Sequence, residues 1–235
     1  MTTVYLIRHG QTNNNLQRCC NGCRTDQPLN EHGRAQAASL ATYFDEHPVD
    51  AVHTSHLLRA KQTAILAFRL AEPELHVEPD LHEVDLGDWD GRPYAEAKAM
   101  YPEQWYNNAY RPSFSVYPDG ESAVLSTERI YAAFLRILHE NKGKRVAIVA
   151  HEMILVHLAI RIFGWPLSKR DEMAGICNAG FHCLEIDDKG HAKFALLNYD
   201  KHLVGDLWNA ADYSTDTDRV AAECARGADL PFFAS

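Results

Sequence analysis

No stretch of this 235-residue chain is long and apolar enough to suggest a membrane span. The most apolar run, Val146 to Phe163, is broken by His151, Glu152, His157 and Arg161. Basic residues are scarce too: 23 Lys and Arg face 32 Asp and Glu, a formal net charge of −9. A nucleic-acid surface needs a basic face to meet the phosphate backbone, so general nucleic-acid binding is excluded. A small phosphorylated ligand is not excluded, because a local arginine cluster outweighs a distant net charge. Met1-Thr2-Thr3 leads straight into an apolar run and leaves no room for a signal peptide, so a cytoplasmic protein is expected. Internal repeats, low-complexity tracts and linkers are also missing, which points to one large domain.

Paired metal ligands are lacking as well. Three of the 6 cysteines are bunched as Cys19, Cys20 and Cys23, but a zinc site needs a fourth ligand, and no clean Cys or His pair follows His32. Reduced thiols in a cytoplasmic chain are the expectation, with Cys177 and Cys183 in the core.

What is present is an alternation of short apolar runs with amphipathic stretches. Strands are expected at Thr3–Ile7, Val49–His53, His76–Glu78, Val146–Ala150 and Gly180–Ile186. Helices are expected at Glu31–Glu46 behind Asn30, at Leu57–Leu70, at Ser122–Asn141 and at Ile154–Phe163. Strand alternating with helix predicts an α/β fold of three layers: a mostly parallel sheet with helices on both faces. The proline- and tyrosine-rich segment 92–120 reads as an irregular, cap-like excursion, and 206–235 as a polar C-terminal tail. The tail turns apolar at Leu230-Pro231-Phe232-Phe233, and it is expected either to be partly ordered or to pack on a partner.

Two of the apolar runs end in histidine. Val4–Ile7 runs into Arg8-His9-Gly10, and Val146–Ala150 runs into His151. Open α/β sheets hold ligands beyond the carboxyl ends of their strands, so both imidazoles are expected in one site, with Arg8 pointing to an anion. A third strand leads to Ser55, read as a helix N-cap, and to Arg59 one turn on, where a helix N-terminus and a guanidinium both favour phosphate. Glu83 and Asp85 supply carboxylates able to protonate a leaving group.

Together the stretches Arg8-His9-Gly10-x-Thr12-x-x-Asn15, Asn21-Gly22, Pro28-Leu29-x-Glu31-x-Gly33, Ser55-x-x-x-Arg59-Ala60 and Leu81-x-Glu83-x-x-x-Gly87-x-Trp89-x-Gly91 resemble the histidine phosphatase superfamily, the phosphoglycerate mutase-like group. The resemblance spans residues 3 to 205 and implies roles residue by residue. His9 would be the nucleophile and form a phosphohistidine. Arg8, Arg59 and His151 would hold the equatorial phosphate oxygens. Glu83 would be the proton donor, Asn15 a supporting donor, and Asn21 and Gly22 would line the substrate side. The resemblance implies a phosphomonoesterase that needs neither metal nor cofactor and takes a small phosphorylated substrate; a homodimer is common for such a fold. A cofactor-dependent phosphoglycerate mutase is the alternative, although mutases carry Glu-Arg-His-Tyr-Gly where this chain has Glu83-Val84-Asp85-Leu86-Gly87.

One position departs from the pattern. The family follows its second histidine with glycine, whereas this chain reads Ala150-His151-Glu152. A carboxylate beside a phosphate pocket repels the ligand unless it turns away or meets a cation. Glu152 is therefore expected to face the pocket and shape substrate choice, to weaken catalysis and leave a phosphate-binding regulatory protein, or to serve merely as a first-turn residue favoured by the helix dipole. A zinc protease motif is ruled out, because His157 lies six residues on, about 240° around a helix.

Overall fold

The computed structural model describes residues 1–173, 175–208, 217–225 and 227–230. Seven strands form one sheet: β1 (Thr2–Arg8), β2 (Ala51–Ser55), β3 (His76–Glu78), β4 (Arg145–Ala150), β5 (Phe181–Ile186), β6 (His191–Tyr199) and β7 (Ala228–Asp229). Their order is β3-β2-β4-β1-β5-β6-β7. The expected parallel pairing holds on the side that carries the histidines, where β3, β2, β4 and β1 run side by side. Beyond β1 the sheet is antiparallel, because β5 and β6 join through a short connection rather than a crossover helix. The sheet is therefore mixed.

The central strands read as unbroken apolar runs because both their faces are covered. Along β1, Val4 and Leu6 enter one core cluster while Tyr5 and Ile7 enter another. Along β4, Val146, Ile148 and Ala150 join the first cluster and Ala147 and Val149 the second. The first layer of helices comprises α6 (Ala123–Glu140) and α7 (Glu152–Ile162). The opposite layer comprises α2 (Glu31–Glu46) and α3 (Leu58–Phe68). Asn30 caps α2 by accepting the Gly33 N–H at 2.8 Å, and Ser122 caps α6 by accepting from Leu125 at 3.1 Å. The helix after His151 begins two residues earlier than the apolar pattern indicates, since Glu152 and Met153 form its first turn.

Segment 92–120 is more ordered than its composition suggests. It contains α4 (Tyr94–Met100) and α5 (Pro102–Tyr110), with Pro102 at the first position of α5, where its missing N–H costs nothing. A short α1 (Asn13–Gln17) follows β1. The C-terminal region also returns to the domain. In α8 (Thr217–Cys224), Val220 and Cys224 pack on Val156, Ala159 and Ile160 of α7, and β7 pairs with β6. A division at residue 205 thus cuts across one sheet and one core. Leu230 is buried, while Pro231, Phe232 and Phe233 lie outside the described residues. Among the described residues no helix is long and apolar enough to cross a membrane.

Several histidines sit in this core uncharged. Burial pushes His157 down to about 3 and His202 to about 4, and it lowers His53, whose Nδ1 meets Glu78 at 3.0 Å. The unfolded chain protonates these imidazoles near 6.5, so their contribution to stability is full above that pH and is lost as the pH falls toward the folded values. The unfolding free energy measured in urea should therefore drop steadily from pH 7 to pH 4.5. Each fully neutral histidine contributes up to about 1.4 kcal/mol per pH unit to that slope. A flat profile over this range would contradict the burial of these imidazoles as neutral groups.

Candidate active site

Parallel pairing puts the carboxyl ends of β1, β4 and β2 at one edge of the sheet. Arg8 is opposite Ala150 and Thr54 opposite Val149, so the residues that follow each strand converge. His9 and His151 meet there with ring centroids 5.2 Å apart. Gly10 is needed for packing rather than for an unusual backbone angle. A methyl on Gly10 or on Gly33 would overlap the backbone of the segment opposite, where the start of α2 presses on residues 10–11.

His9 is held from several sides. Its N–H donates to the Ala150 carbonyl at 3.0 Å, and its own carbonyl accepts from Ala179 and from the Asn178 side chain. The ring Nδ1 lies 2.7 Å from the Gly10 carbonyl. A carbonyl only accepts, so Nδ1 carries the proton and Nε2 keeps its lone pair. Burial, with Arg59 and then Arg8 nearby, lowers His9 well below the ordinary imidazole range, so the ring is neutral.

Behind His9 lies a buried relay. Arg59 is fully buried; its Nε donates to His151 Nδ1 at 3.2 Å, and its terminal nitrogens donate to the carbonyls of Thr25, Asn21 and Gly22. With Nδ1 of His151 accepting, Nε2 must carry the proton, and it donates to Ser55 Oγ at 2.9 Å. Ser55 is thus not the N-cap expected. It ends β2, accepts from the Leu57 N–H and orients His151, while Leu57 precedes α3 without a side-chain cap. The carbonyls that grip Arg59 are positioned by Asp90, whose carboxylate accepts from the N–H groups of Gly22 (2.8 Å), Arg24 (2.6 Å) and Thr25 (3.2 Å) and from the Thr25 hydroxyl (2.8 Å). Gly22 consequently faces Asp90 and Arg59 instead of lining the substrate side.

A cavity of about 610 Å³ opens in front of His9. Arg8, Asn15, Asn21, Glu83 and Glu152 line it with His9, whereas Arg59 and His151 are wholly buried behind it. The side chain of Asn15 accepts from Thr12 through Oδ1, which leaves the amide N–H groups for a ligand. Glu83 is 7% exposed at the start of α7, where its carboxyl accepts from the N–H groups of Met153 and Ile154 at 3.2 Å. Burial raises its pKa nonetheless, and the nearby Glu152 adds to the shift. Asp85, the other carboxylate considered, is taken up by Arg24 at 2.7 Å, which holds it below the usual carboxylate range against the effect of burial.

Glu152 faces the cavity and meets a cation. Its Oε2 lies 2.8 Å from Arg8 NH1, which also donates to the Ile176 carbonyl. The repulsive alternative is averted because half of the Arg8 fork carries a carboxylate already. Cys20 also lines the cavity, but burial pushes its thiol up to about 12, so it stays protonated.

The sequence pattern did not identify Tyr94, Trp105, Asn108, Tyr117 or Arg170 as lining residues. They come from segment 92–120 and from the turn at 167–172, where no periodicity marks a site. The density of aromatic residues in 94–117 was the available signal.

The chain matches the family described as histidine phosphatase superfamily (branch 1) over residues 4–200. It is 34% identical over 164 residues to an uncharacterised phosphatase, PhoE, of Bacillus subtilis, covering 70% of this chain and 79% of that one. It is 34% identical over 198 residues to a metal-independent phosphoserine phosphatase of Arabidopsis thaliana, covering 80% and 78%. Among solved structures, YhfR of Bacillus stearothermophilus superposes with a TM-score of 0.81 at 28% identity, covering 86% of this chain and 99% of that one. With a neutral His9, Arg8 and the acid Glu83 lining one cavity in front of the buried Arg59, this chain belongs to the histidine phosphatase superfamily.

Proposed function

We propose that the protein hydrolyses small phosphomonoesters through a phosphohistidine on His9. The observation that carries this reading is the 2.7 Å contact of Nδ1 with the Gly10 carbonyl, which leaves Nε2 as a neutral nucleophile facing the cavity. In the first step Nε2 attacks phosphorus and the ester P–O bond breaks. The departing oxygen takes the proton of Glu83, whose burial raises its pKa and so favours the acid form this step needs. In the second step Glu83 takes a proton from water, the water oxygen attacks phosphorus, and the P–N bond breaks to release phosphate. His9 is again neutral and Glu83 again an acid.

Arg8 and Asn15 contact the phosphoryl oxygens directly. Arg59 and His151 act from behind, holding the strand ends together and supplying positive charge in a buried setting, where it is little screened. Arginine thus supplies the charge that a metal would otherwise contribute, and the Arabidopsis relative is named as metal-independent. The mutase alternative finds little support in segment 92–120. Arg92 is paired with Glu96, and Arg111 lies over the Tyr106 ring, so neither is positioned in the cavity to retain a bisphosphate.

Three outcomes test the reading. His9→Ala should lower kcat by several orders of magnitude with the fold intact, and rapid quenching of the parent enzyme should trap acid-labile phosphate on His9. Near-normal turnover in the variant would refute the covalent step. Glu83→Gln should cost about 10² to 10⁴ in rate with alkyl phosphates and far less with p-nitrophenyl phosphate, whose leaving group hardly needs a proton. The parent should lose activity toward alkyl esters as pH rises through the raised Glu83 pKa, and the variant should lack that limb; identical pH profiles would point to another acid. Glu152→Gln should strengthen inhibition by orthophosphate about three- to tenfold, since Arg8 then has no competing carboxylate. An unchanged inhibition constant would show that Glu152 gives way without cost.

A further inference from the structure

Building on the phosphatase reading, we infer that the substrate is the phosphomonoester of a bulky, uncharged, ring-bearing alcohol rather than of a compact acid. Two features of the cavity carry this: its size with its aromatic wall, and the state of its cations.

At about 610 Å³ the cavity falls within the ~300–1,000 Å³ typical of sites for drug-sized ligands. A phosphoryl group on a three-carbon chain would leave most of it empty. Beyond His9 the lining is a continuous set of rings. Trp89 and Trp105 lie 5.1 Å apart at 33°, Tyr117 meets Trp89 edge-on at 5.0 Å, and Tyr94 lies 6.1 Å from Trp105. Met153 and Met173 add adaptable apolar surface. Trp89 and Tyr117, each 2% exposed, back this wall and hold it rigid, while the partly exposed Trp105 and the exposed Tyr94 present the ring surface.

A compact phosphorylated acid needs a second cation, free to take its carboxylate. Among the described residues the lining contains two arginines, and neither is free for this. Arg8 serves the phosphoryl end and shares one terminal nitrogen with Glu152 and Ile176. Arg170 is spent on structure: NH1 and NH2 donate to the side chain and carbonyl of Asn108 at 3.0 and 2.7 Å, and Nε donates to Asp171 at 3.2 Å. The carboxylates of Glu152 and Asp171 also line the cavity, and by pairing with Arg8 and Arg170 they take up the very cations a second anionic group would need. The alcohol end is therefore built for apolar, planar surface without charge.

The test must hold the leaving group constant, because aryl phosphates react faster for chemical reasons alone. Propyl phosphate, 3-phenylpropyl phosphate and phosphoserine should be compared by kcat/KM. The phenylpropyl ester should exceed propyl phosphate by about 10- to 100-fold, the range expected for burying one phenyl group, and phosphoserine should be no better than propyl phosphate. In Trp105→Ala that preference should shrink at least about fivefold, and Trp105→Phe should restore most of it. Should Trp105→Ala fold poorly, competitive inhibition of the parent by phenylphosphonate against methylphosphonate gives the same comparison without a variant. Equal kcat/KM for the two alkyl esters, or phosphoserine favoured tenfold, would overturn the inference while leaving the phosphatase reading intact. No turnover of any ester by folded protein would overturn both.

Discussion

A single guanidinium, that of Arg59, is the group on which the site depends. It is fully buried, so each of its N–H groups needs a partner to offset lost hydration, and the partners come from two separate parts of the chain. The carbonyls of Asn21, Gly22 and Thr25 bring in the loop after α1, and His151 brings in the end of β4. The side chain itself starts from α3, just beyond β2. One buried cation thus clamps two strand ends and a loop into one geometry. Its charge also falls on His9, where it favours the neutral imidazole. Asp90 extends the clamp outward by fixing the loop whose carbonyls Arg59 requires. Removing either partner would leave unpaired polar groups inside the protein, so structure and chemistry are coupled at this point.

Around the clamp the molecule divides its labour. The parallel half of the sheet delivers Arg8, His9 and His151 with little freedom, because Arg8 ends one strand packed on both faces and the two histidines directly follow such strands. The helices α4 and α5 and the turn at 167–172 surround the other end of the cavity and are joined by the Arg170–Asn108 contacts. Glu83 and Glu152 sit between these parts, at the first turn of α7. Two carboxylates there take different parts: burial raises the pKa of Glu83 toward an acid's role, and Glu152, half-exposed, pairs with Arg8.

Much of this arrangement was legible in the chain because it follows from local pattern. Apolar runs covered on both faces marked β1 and β4, and the polar residues after them marked the site. Asn30 announced its helix by its place just before the periodic run, and Ser122 stood at the start of another such run. The parts that were not legible depend on partners distant in sequence. Ser55 looks like a cap beside Leu57, and only the approach of His151 from β4, 96 positions away, gives its hydroxyl another task. Arg59 carries no sign that backbone carbonyls, not a ligand, take up its donors. Residue 152 looked adverse until its distance to Arg8 was known. β6 alternates buried and exposed positions irregularly and carries a register shift, so its pattern is weak. The short β7 depends wholly on pairing with it.

The central claim is that His9 is held neutral, with its proton on Nδ1 and its lone pair on Nε2. Nitrogen-15 NMR of the imidazole, with ring nitrogens correlated to ring carbon-bound protons, reads the tautomer directly. The account predicts a protonated Nδ1 and a bare Nε2 for His9, unchanged from pH 7.5 down to pH 5.5, where an exposed histidine has become charged. A proton on Nε2, or an imidazolium appearing near pH 6.5, would contradict it.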